Sequence, residues 1–285
     1  MRRVLLAGIT GYLGSYIAKT LQERAYSVKA IVRNPDKLKK KNIVPDETLI
    51  AELTRPESIK GCCKSVDVVI STVGITRQKD GLSYMDVDYQ ANMNLLQQSL
   101  QAQVKKFIYV SVLNGEYLRH LKICDAKEKF VKKLKTSGMD YCIIRPNGFF
   151  SDMTEFYSMA KRGRIYLFGN GKWMTNPIHG EDLAAVCLDA IERSDPEIKV
   201  GGPETLTHTE IAATAFEVVG KEPNILHIPD WLRVAMLKIV RLFTGSKVYG
   251  PIEFFITVMS MDMVAPECGK HTLKAYFTEL KNKET

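Results

Sequence analysis

Several hallmarks of common protein classes are missing from this 285-residue sequence. Its six cysteines form no CxxC pair and its five histidines do not have the spacing of zinc ligands, which argues against a zinc module or a disulfide framework. No apolar run reaches membrane-spanning length, and glycines interrupt the amino-terminal stretch "MRRVLLAGITGYLG" before a signal peptide could develop. We therefore expect a cytoplasmic protein with no metal and no stable membrane insertion.

The balance of charge is positive, with a formal net charge of +8 and a pI near 9.0. Basic residues cluster in "KLKKK" (37–41) and "KEKFVKKLK" (127–135). Such charge is compatible with a solubilising surface, or with nucleotide phosphates, nucleic acid or an anionic membrane as partners. No aromatic or helix-turn-helix pattern accompanies the clusters, so we expect no nucleic-acid partner.

The first half of the sequence alternates short apolar runs with amphipathic stretches. An uninterrupted run such as "VDVVISTVG" is typical of a strand covered on both faces, whereas "YLGSYIAKTLQER" and "YMDVDYQANMNLLQQSLQAQ" have the spacing of helices. This alternation predicts βαβ units, and hence an α/β protein with a doubly wound parallel sheet.

The pattern changes after about residue 150. The segment "GRIYLFGNGKWMTNPI" predicts two strands around a "GNG" turn, and Thr207 and Glu210 have the spacing of a capping box before a helix. The remaining sequence is mostly helical. We predict a nucleotide-binding Rossmann domain over residues 1–150 and a smaller, mostly helical substrate lobe over residues 151–285 that packs against it, with an exchange of segments between them left open.

Three glycines lie at the junction of the first predicted strand and the first predicted helix, in "GITGYLG" (8–14). Glycine lets the backbone turn tightly and approach a pyrophosphate, whose charge is met by amides at the start of the helix. Because the motif lies at the first βα junction of a continuing βαβ series, it predicts a dinucleotide site.

The end of the second predicted strand indicates which dinucleotide is bound. An NAD site usually has an acidic residue there for the ribose 2′-hydroxyl, but "YSVKAIVRNPDKL" has no carboxylate in the strand and ends at Arg33. A guanidinium pairs well with a 2′-phosphate, and Lys37 adds positive charge. The sequence therefore favours NADP(H) over NAD(H).

Three motifs together resemble a known family: "GITGYLG", "VRNP" after the second strand and "IIRPNGFF" after the sixth. They resemble the atypical short-chain dehydrogenases, and within these the NmrA-like, NAD(P)H-binding branch, over nearly the whole chain. The later segments "GNGKWMTNPIHGEDLA", "VGGPETLTHTEIA" and "GKHTLKAYF" resemble more specifically the 8-vinyl reductases of divinyl chlorophyllide. The resemblance implies a Rossmann fold, NADP(H) as cofactor and a reductase of a bulky apolar compound.

The resemblance also implies roles for individual residues. Arg33 would take the 2′-phosphate, and Ser111 falls where the family often has an active-site Ser or Thr. Glu52 and Leu53 would border the adenine, and Thr72, Val73 and Gly74 would lie under the adenosine ribose and pyrophosphate. The predicted phosphate loop consists of Gly8, Thr10, Gly11, Tyr12, Leu13 and Gly14, and the segment expected beside the nicotinamide consists of Pro146, Asn147 and Gly148.

One departure from the family concerns its YxxxK motif, in which Tyr donates a proton and Lys holds the nicotinamide ribose. Lys127 matches the lysine, but Ile123 stands four residues earlier and cannot donate a proton. Tyr117 is ten residues before Lys127 and cannot take the same helical position. His120, in the predicted loop before this helix, is our candidate proton source.

The missing tyrosine leaves two functions open. Reduction of an activated C=C bond or a quinone-type acceptor needs hydride within reach of the substrate and a proton from water or another side chain. The alternative is a non-catalytic NADP(H)-binding regulator that reports the nucleotide ratio to a partner protein.

The carboxy-terminal helices allow three interpretations. "IPDWLRVAMLKIVRLFTG" (228–245) has apolar residues at helical spacing and basic residues elsewhere, and "PIEFFITVMSMDMV" (251–264) is more apolar still. These stretches could form the core of the lobe, line a pocket for a hydrophobic small-molecule substrate, or form an interfacial helix or an oligomer contact. Peripheral membrane association, and the choice between monomer and homodimer, stay open.

Overall fold

The computed structural model describes residues 2–75 and 81–284, except for the side chains of residues 246–248. The chain divides into two compact units. The first contains Met1–Arg145 and Leu183–Ile198, and the second contains Pro146–Asp182 and Lys199–Thr285. The chain thus leaves the first unit after Arg145, returns to it at Leu183, and ends in the second.

The strands of both units, in chain order, are β1 (Arg3–Ala7), β2 (Ser27–Val32), β3 (Glu47–Ile50), β4 (Val68–Ser71), β5 (Lys106–Val110), β6 (Asp140–Pro146), β7 (Ile165–Phe168), β8 (Met174–Thr175), β9 (Glu197–Val200), β10 (Leu206–Thr207) and β11 (Ile225–Ile228).

The helices are α1 (Tyr12–Glu23), α2 (Asp36–Lys40), α3 (Asn92–Gln101), α4 (Lys122–Lys135), α5 (Phe150–Lys161), α6 (Gly180–Asp189), α7 (His208–Val219), α8 (Asp230–Phe243), α9 (Ser246–Val258) and α10 (Leu273–Asn282). A 3₁₀ turn covers Pro56–Ile59, and a π-helix covers Met85–Ala91 directly before α3.

A seven-stranded sheet with the order β3-β2-β1-β4-β5-β6-β9 confirms the predicted Rossmann-type fold. The neighbours from β3 to β6 pair in parallel. The strand order reverses between β1 and β4: β2 and β3 follow on one side of β1, and β5 and β6 follow on the other side of β4. Both strands are mostly apolar in sequence and are buried. In sheets of this kind, ligands bind outside the carboxyl ends of the strands at such a switch point.

The second unit contains two small sheets. The two strands predicted around the "GNG" turn are present as β7 and β8, but they do not pair with each other: β7 pairs in parallel with β11, and β8 pairs antiparallel with β10. Gly169 and Gly171 have positive φ angles of 64° and 71° and do form a turn. The turn, however, is held by partners distant in sequence: Gly169 N–H donates to the Ile228 carbonyl, and Thr209 N–H donates to the Gly171 carbonyl. Each strand consequently pairs with a segment that local sequence does not reveal.

The helices of the second unit bury their own apolar core. Side chains of α5, α7 and α10 pack together, among them Phe156, Phe216 and Phe277. The predicted capping box is present, since the Thr207 hydroxyl accepts from Glu210 N–H at 3.2 Å. Within residues 2–75 and 81–284, no helix has the length and apolarity needed to span a membrane.

Candidate functional site

The predicted dinucleotide loop connects β1 to α1. Gly8 has a φ of +89°, in the left-handed region that favours glycine, and the Gly11 N–H donates to the Gly8 carbonyl at 2.9 Å. A Cβ on Gly14 would lie 2.8 Å from the Gly8 carbonyl carbon, closer than real Cβ atoms approach. Helix α1 begins after Gly11 without a side-chain cap, so amides of its first turn can bind an anion. This cradle fits a pyrophosphate.

The other predicted loop residues differ in exposure. Thr10 and Tyr12 are half-buried, and the Tyr12 ring meets Tyr16 edge-on at 5.3 Å. The side chain of Leu13 lies in the core and is 5% exposed. Leu13 can therefore offer a ligand only its backbone N–H.

Charged side chains lie at the carboxyl ends of β2 and β3. The Arg33 guanidinium is half exposed and its Nη1 is 3.7 Å from Oε2 of Glu52, while the neighbouring Leu53 packs on the core. Lys37 is exposed on α2. Lys41, which was not predicted as a site residue, donates from its Nζ to the Gly11 carbonyl at 3.3 Å, and partial burial lowers its pKa. Lys41 is thus a cation that contacts the glycine loop.

The predicted segment Thr72-Val73-Gly74 follows β4, the neighbour of β1. The N–H and hydroxyl of Thr72 both donate to the Ala7 carbonyl, at 3.0 Å and 3.2 Å. The buried side chain of Asn92 donates to the Val73 carbonyl at 3.2 Å. These bonds fix the segment beside the carboxyl end of β1, next to the glycine loop.

Lys127 projects from α4 to the end of this segment. Its Nζ lies 2.9 Å from Oδ1 of Asp88 and 5.6 Å from the centre of the Tyr109 ring. A Cβ on Gly74 would lie 2.8 Å from Nζ and 2.6 Å from Oδ1 of Asp88, so a larger residue there would displace the ion pair. Burial alone would lower the pKa of Lys127, but the electrostatic interactions with Tyr109 and Asp88 have a larger effect, and the pKa is raised. Lys127 is therefore a buried, fixed ammonium.

Asp88, the counter-ion of Lys127, was not predicted. It is fully buried and lies in the π-helix, where the sequence predicts continuous α-helix. A signal was nevertheless present, because Asp88, Ala91 and Leu95 have the i, i+3, i+7 spacing of one helical face. An aspartate on an otherwise buried face requires a partner, and single-turn π-helices are frequent at functional sites.

No tyrosine among the described residues takes the proton-donor position of YxxxK. Ile123, which occupies that position, is 6% exposed, and Tyr117 is 75% exposed on the preceding turn. Tyr109 contacts Lys127, and the ammonium alone would lower the pKa of its phenol. Burial has the larger effect and raises that pKa to about 12. Tyr109 is therefore a weaker acid than an ordinary tyrosine and does not replace the missing residue.

Ser111 is part of a second buried cluster. Its hydroxyl donates to Oε1 of Glu128 at 3.5 Å, and the Arg145 guanidinium binds Glu128 through two nitrogens, at 2.5 Å and 3.0 Å. Arg145 also donates to Glu197 at 2.8 Å. Burial alone would lower the pKa of Arg145, but Glu128 and Glu197 have a larger effect and raise it. His120 is exposed in the turn before α4. Lys127 and Glu128, adjacent in sequence, thus hold two separate ion pairs.

The segment Pro146-Asn147-Gly148 belongs to the second unit, whereas the other predicted site residues belong to the first. The buried amide of Asn147 donates to Asn176 at 2.8 Å and to the Met263 carbonyl, and its Oδ1 accepts from Gly148 N–H at 2.8 Å. Asn147 is therefore tied to the backbone around it, and its contact with a nicotinamide stays a prediction.

Two histidines that the sequence did not connect meet in the second unit. The rings of His179 and His271 lie 4.3 Å apart, and Nδ1 of His271 is 2.8 Å from Oδ1 of Asp182. Asp182 also accepts backbone N–H groups of Lys270 and His271. These bonds join the start of α6 to the segment before α10. Burial, followed by the neighbouring His271, lowers the pKa of His179.

Comparison with known proteins agrees with this geometry. A sequence profile described as NAD(P)H-binding matches residues 8–194. The chain is 28% identical to the chloroplastic divinyl chlorophyllide a 8-vinyl-reductase of Arabidopsis thaliana, over 94% of this chain and 72% of that protein. It is 31% identical to the photosystem II assembly factor Ycf39 of Cyanidium caldarium, over 90% of this chain and 83% of that protein.

A solved structure has the same fold. The NADPH-dependent quinone oxidoreductase QOR2 of Escherichia coli, complexed with NADPH, superposes with a TM-score of 0.74 over 98% of this chain and 100% of that chain, at 18% identity. The glycine cradle, the sheet order and the profile match, which covers well over half of the sequence, agree with one another. The chain belongs to the NAD(P)H-binding family.

Proposed function

We propose that this protein is an NADPH-dependent reductase of a bulky apolar substrate with an activated C=C bond or a quinone-type acceptor. The observation that carries the proposal is the buried Lys127 ammonium, held by Asp88 beside Gly74 in an NAD(P)H-binding chain. Burying an ion pair costs desolvation energy that an apolar pair would avoid, so such a pair next to a ligand loop indicates function. The 8-vinyl-reductase relative supports a C=C acceptor.

The residues of the first unit fit NADPH. The glycine cradle and the first turn of α1 suit the pyrophosphate, and Arg33, Lys37 and Lys41 supply positive charge for the 2′-phosphate. Glu52 orients Arg33 at 3.7 Å. When bound, NADPH supplies the hydride. The preference for NADPH over NADH therefore depends on the cations that follow β2.

Lys127 is assigned the role of holding the nicotinamide ribose. A lysine ammonium has three N–H donors, and the ion pair with Asp88 fixes its position without occupying all of them. The raised pKa keeps Lys127 charged at neutral pH. Its contribution is orientation of the cofactor, which lowers the barrier by presenting hydride at the right distance and angle.

The proton that completes the reduction must come from a group other than residue 123, because the Ile123 side chain cannot donate one. Ser111 is assigned to the border of the substrate, and the proton comes from water or from His120, which is exposed next to α4. Reduction of a C=C bond conjugated to an acceptor group tolerates this arrangement, since the negative charge that develops is delocalised in the substrate.

The test is anaerobic stopped-flow absorbance of bound NADPH with quinones, enones and a divinyl tetrapyrrole as acceptors. We expect saturable loss of the nicotinamide signal with one acceptor class. Lys127→Met should lower kcat/KM for that acceptor by about a hundredfold. The matched control is Lys129→Met on the same helix, whose lysine is 45% exposed and pairs with Asp125, and it should react like the wild type. Equal rates in both variants would refute the role of Lys127.

A second candidate function is a non-catalytic protein that binds NADP(H) and acts through a partner. The observation that favours it is the buried Ile123 in place of the proton donor, together with the relative named as an assembly factor. The same experiment separates the two functions. Tight NADPH binding without oxidation by any acceptor would support the regulator and reject the reductase.

A further inference from the structure

Cofactor binding leaves the surface of α8 unexplained. This helix in the second unit has no buried residue. Trp231, Leu242 and Phe243 are 71%, 79% and 83% exposed. Scattered exposed apolar side chains are ordinary, but several large ones on one helix mark a surface that contacts something else.

Five of the six large exposed apolar side chains of α8 share one face, and the sixth, Val234, lies outside it. Trp231, Ala235, Ile239 and Leu242 follow one another at spacings of four, four and three residues, which places them in line along a helix. Leu232 and Phe243 widen this line on one side. We call these six residues the α8 apolar stripe: Trp231, Leu232, Ala235, Ile239, Leu242 and Phe243.

The stripe points away from the neighbouring helix. α8 packs against α9, and the Arg241 guanidinium lies over the Tyr249 ring of α9 at 5.7 Å. At 100° per residue, Arg241 is well over a quarter turn from the centre of the stripe. Met236 and Val240, between these two faces, are half-buried. The side of α8 that α9 covers is thus not the side that carries the stripe.

Positive charge accompanies the stripe. Lys238 lies at its edge, next to Trp231 and Leu242 on the helical wheel, and among residues 2–75 and 81–284 it makes no ion pair. The single acidic residue of α8 is Asp230, at its first position, where it pairs with Arg233 at 3.3 Å. An outward apolar face with a basic side chain at its edge is compatible with a helix that lies in the surface of an anionic bilayer.

We propose that α8 docks this protein on an anionic lipid bilayer, with the α8 apolar stripe inserted among the acyl chains and Lys238 at the headgroups. Fourteen residues give a helix of about 21 Å, enough to lie in the membrane plane and too short to cross it. A two-fold pairing of α8 with a second copy would instead bring identical basic side chains together, which disfavours the dimer as occupant. The inference does not rest on the proposed reductase activity.

The experiment uses the full chain and vesicles of phosphatidylcholine with or without phosphatidylglycerol. In a Trp173→Phe background Trp231 is the single tryptophan of the chain, so its emission reports on the stripe directly. We expect a blue shift and co-flotation with the anionic vesicles. Removing one basic charge in Lys238→Gln should weaken binding about fivefold. Raising the salt concentration should weaken the binding as well.

The decisive variant is the pair Leu242→Asp and Phe243→Asp, at positions exposed enough that folding does not depend on them. It should reduce vesicle affinity by more than about tenfold, since two apolar anchors are lost. The matched control is Val44→Asp, which is 77% exposed in the first unit and should bind vesicles and NADPH like the wild type. Vesicle binding that survives the double substitution would overturn the proposal. A concentration-dependent dimer that the double substitution dissociates, without vesicle binding, would assign the stripe to a second copy instead.

Discussion

At the scale of single residues, the proposed preference for NADPH gives Arg33 the largest role among the cations that follow β2. Arg33 follows β2, and about half of its side chain is exposed. Its Nη1 lies 3.7 Å from Oε2 of Glu52, which orients the guanidinium. The 2′-phosphate distinguishes NADPH from NADH, and a charge-assisted bond to it contributes about 1.5–3 kcal/mol. We predict that Arg33→Ala weakens NADPH binding about tenfold to a hundredfold and leaves NADH binding nearly unchanged, measured by nucleotide fluorescence titration.

The control for this prediction is Arg55→Ala, an exposed arginine in the segment after β3. It removes the same charge from the molecule, so any long-range electrostatic effect on NADPH is common to both variants. Equal weakening of NADPH and NADH by Arg33→Ala would contradict the 2′-phosphate assignment. Equal weakening of NADPH by both arginine variants would show that net charge, rather than a specific contact, is responsible.

At the scale of secondary-structure elements, the π-helix places a carboxylate under α4. Asp88 is fully buried and its oxygen is 2.9 Å from Nζ of Lys127. We predict that Asp88→Asn destabilises the protein by about 3–5 kcal/mol, because it leaves an uncompensated buried charge. Urea unfolding measures this loss. Adding Lys127→Met in the same chain should restore part of the stability, since the orphaned ammonium is then gone.

The same pair predicts a pH dependence. Because the pKa of Lys127 is raised on folding, its contribution to stability is complete below the ordinary lysine pKa and is lost as pH rises through the folded value. In Asp88→Asn the pKa of Lys127 should fall, so destabilisation should ease toward alkaline pH as the lysine becomes neutral. A free energy of unfolding for Asp88→Asn that keeps a constant difference from the wild type from neutral to alkaline pH would contradict this account.

The elements also show what local sequence can and cannot determine. The glycine cradle and the capping box of Thr207 and Glu210 were predictable because each depends on residues a few positions apart. The inward position of Asp88 could have been read from its helical spacing with Ala91 and Leu95, but its pairing with Lys127 was not predictable, because the two residues are distant in sequence. The strands around Gly169 were predicted, but their pairing with β11 and β10 depends on chain topology rather than on the turn.

At the scale of the whole molecule, the first unit is completed by a segment that comes late in the chain. Leu183–Ile198 brings Glu197 to Arg145 at 2.8 Å and the Pro196 carbonyl to the Ile143 N–H at 2.9 Å. The same segment places Asp189 at 2.6 Å from Arg24. A boundary at residue 150 would remove all these partners from the sheet. Arg145, which is 2% exposed, would then lose Glu197 at an uncovered sheet edge.

We therefore predict that residues 1–150 alone do not unfold cooperatively, whereas residues 1–145 joined to 183–198 by a flexible glycine–serine linker do. Far-UV circular dichroism during heating measures the transition, and NADPH fluorescence reports whether the glycine cradle is formed. The linked chain regains the first two residues of strand β9 and the acceptors for Arg145 and Arg24, so its gain should come from these contacts and not from added length. A chain in which residues 183–198 are replaced by a glycine–serine stretch of the same length controls for the effect of added length. A cooperative transition and NADPH binding in residues 1–150 alone would instead establish an autonomous domain that ends there.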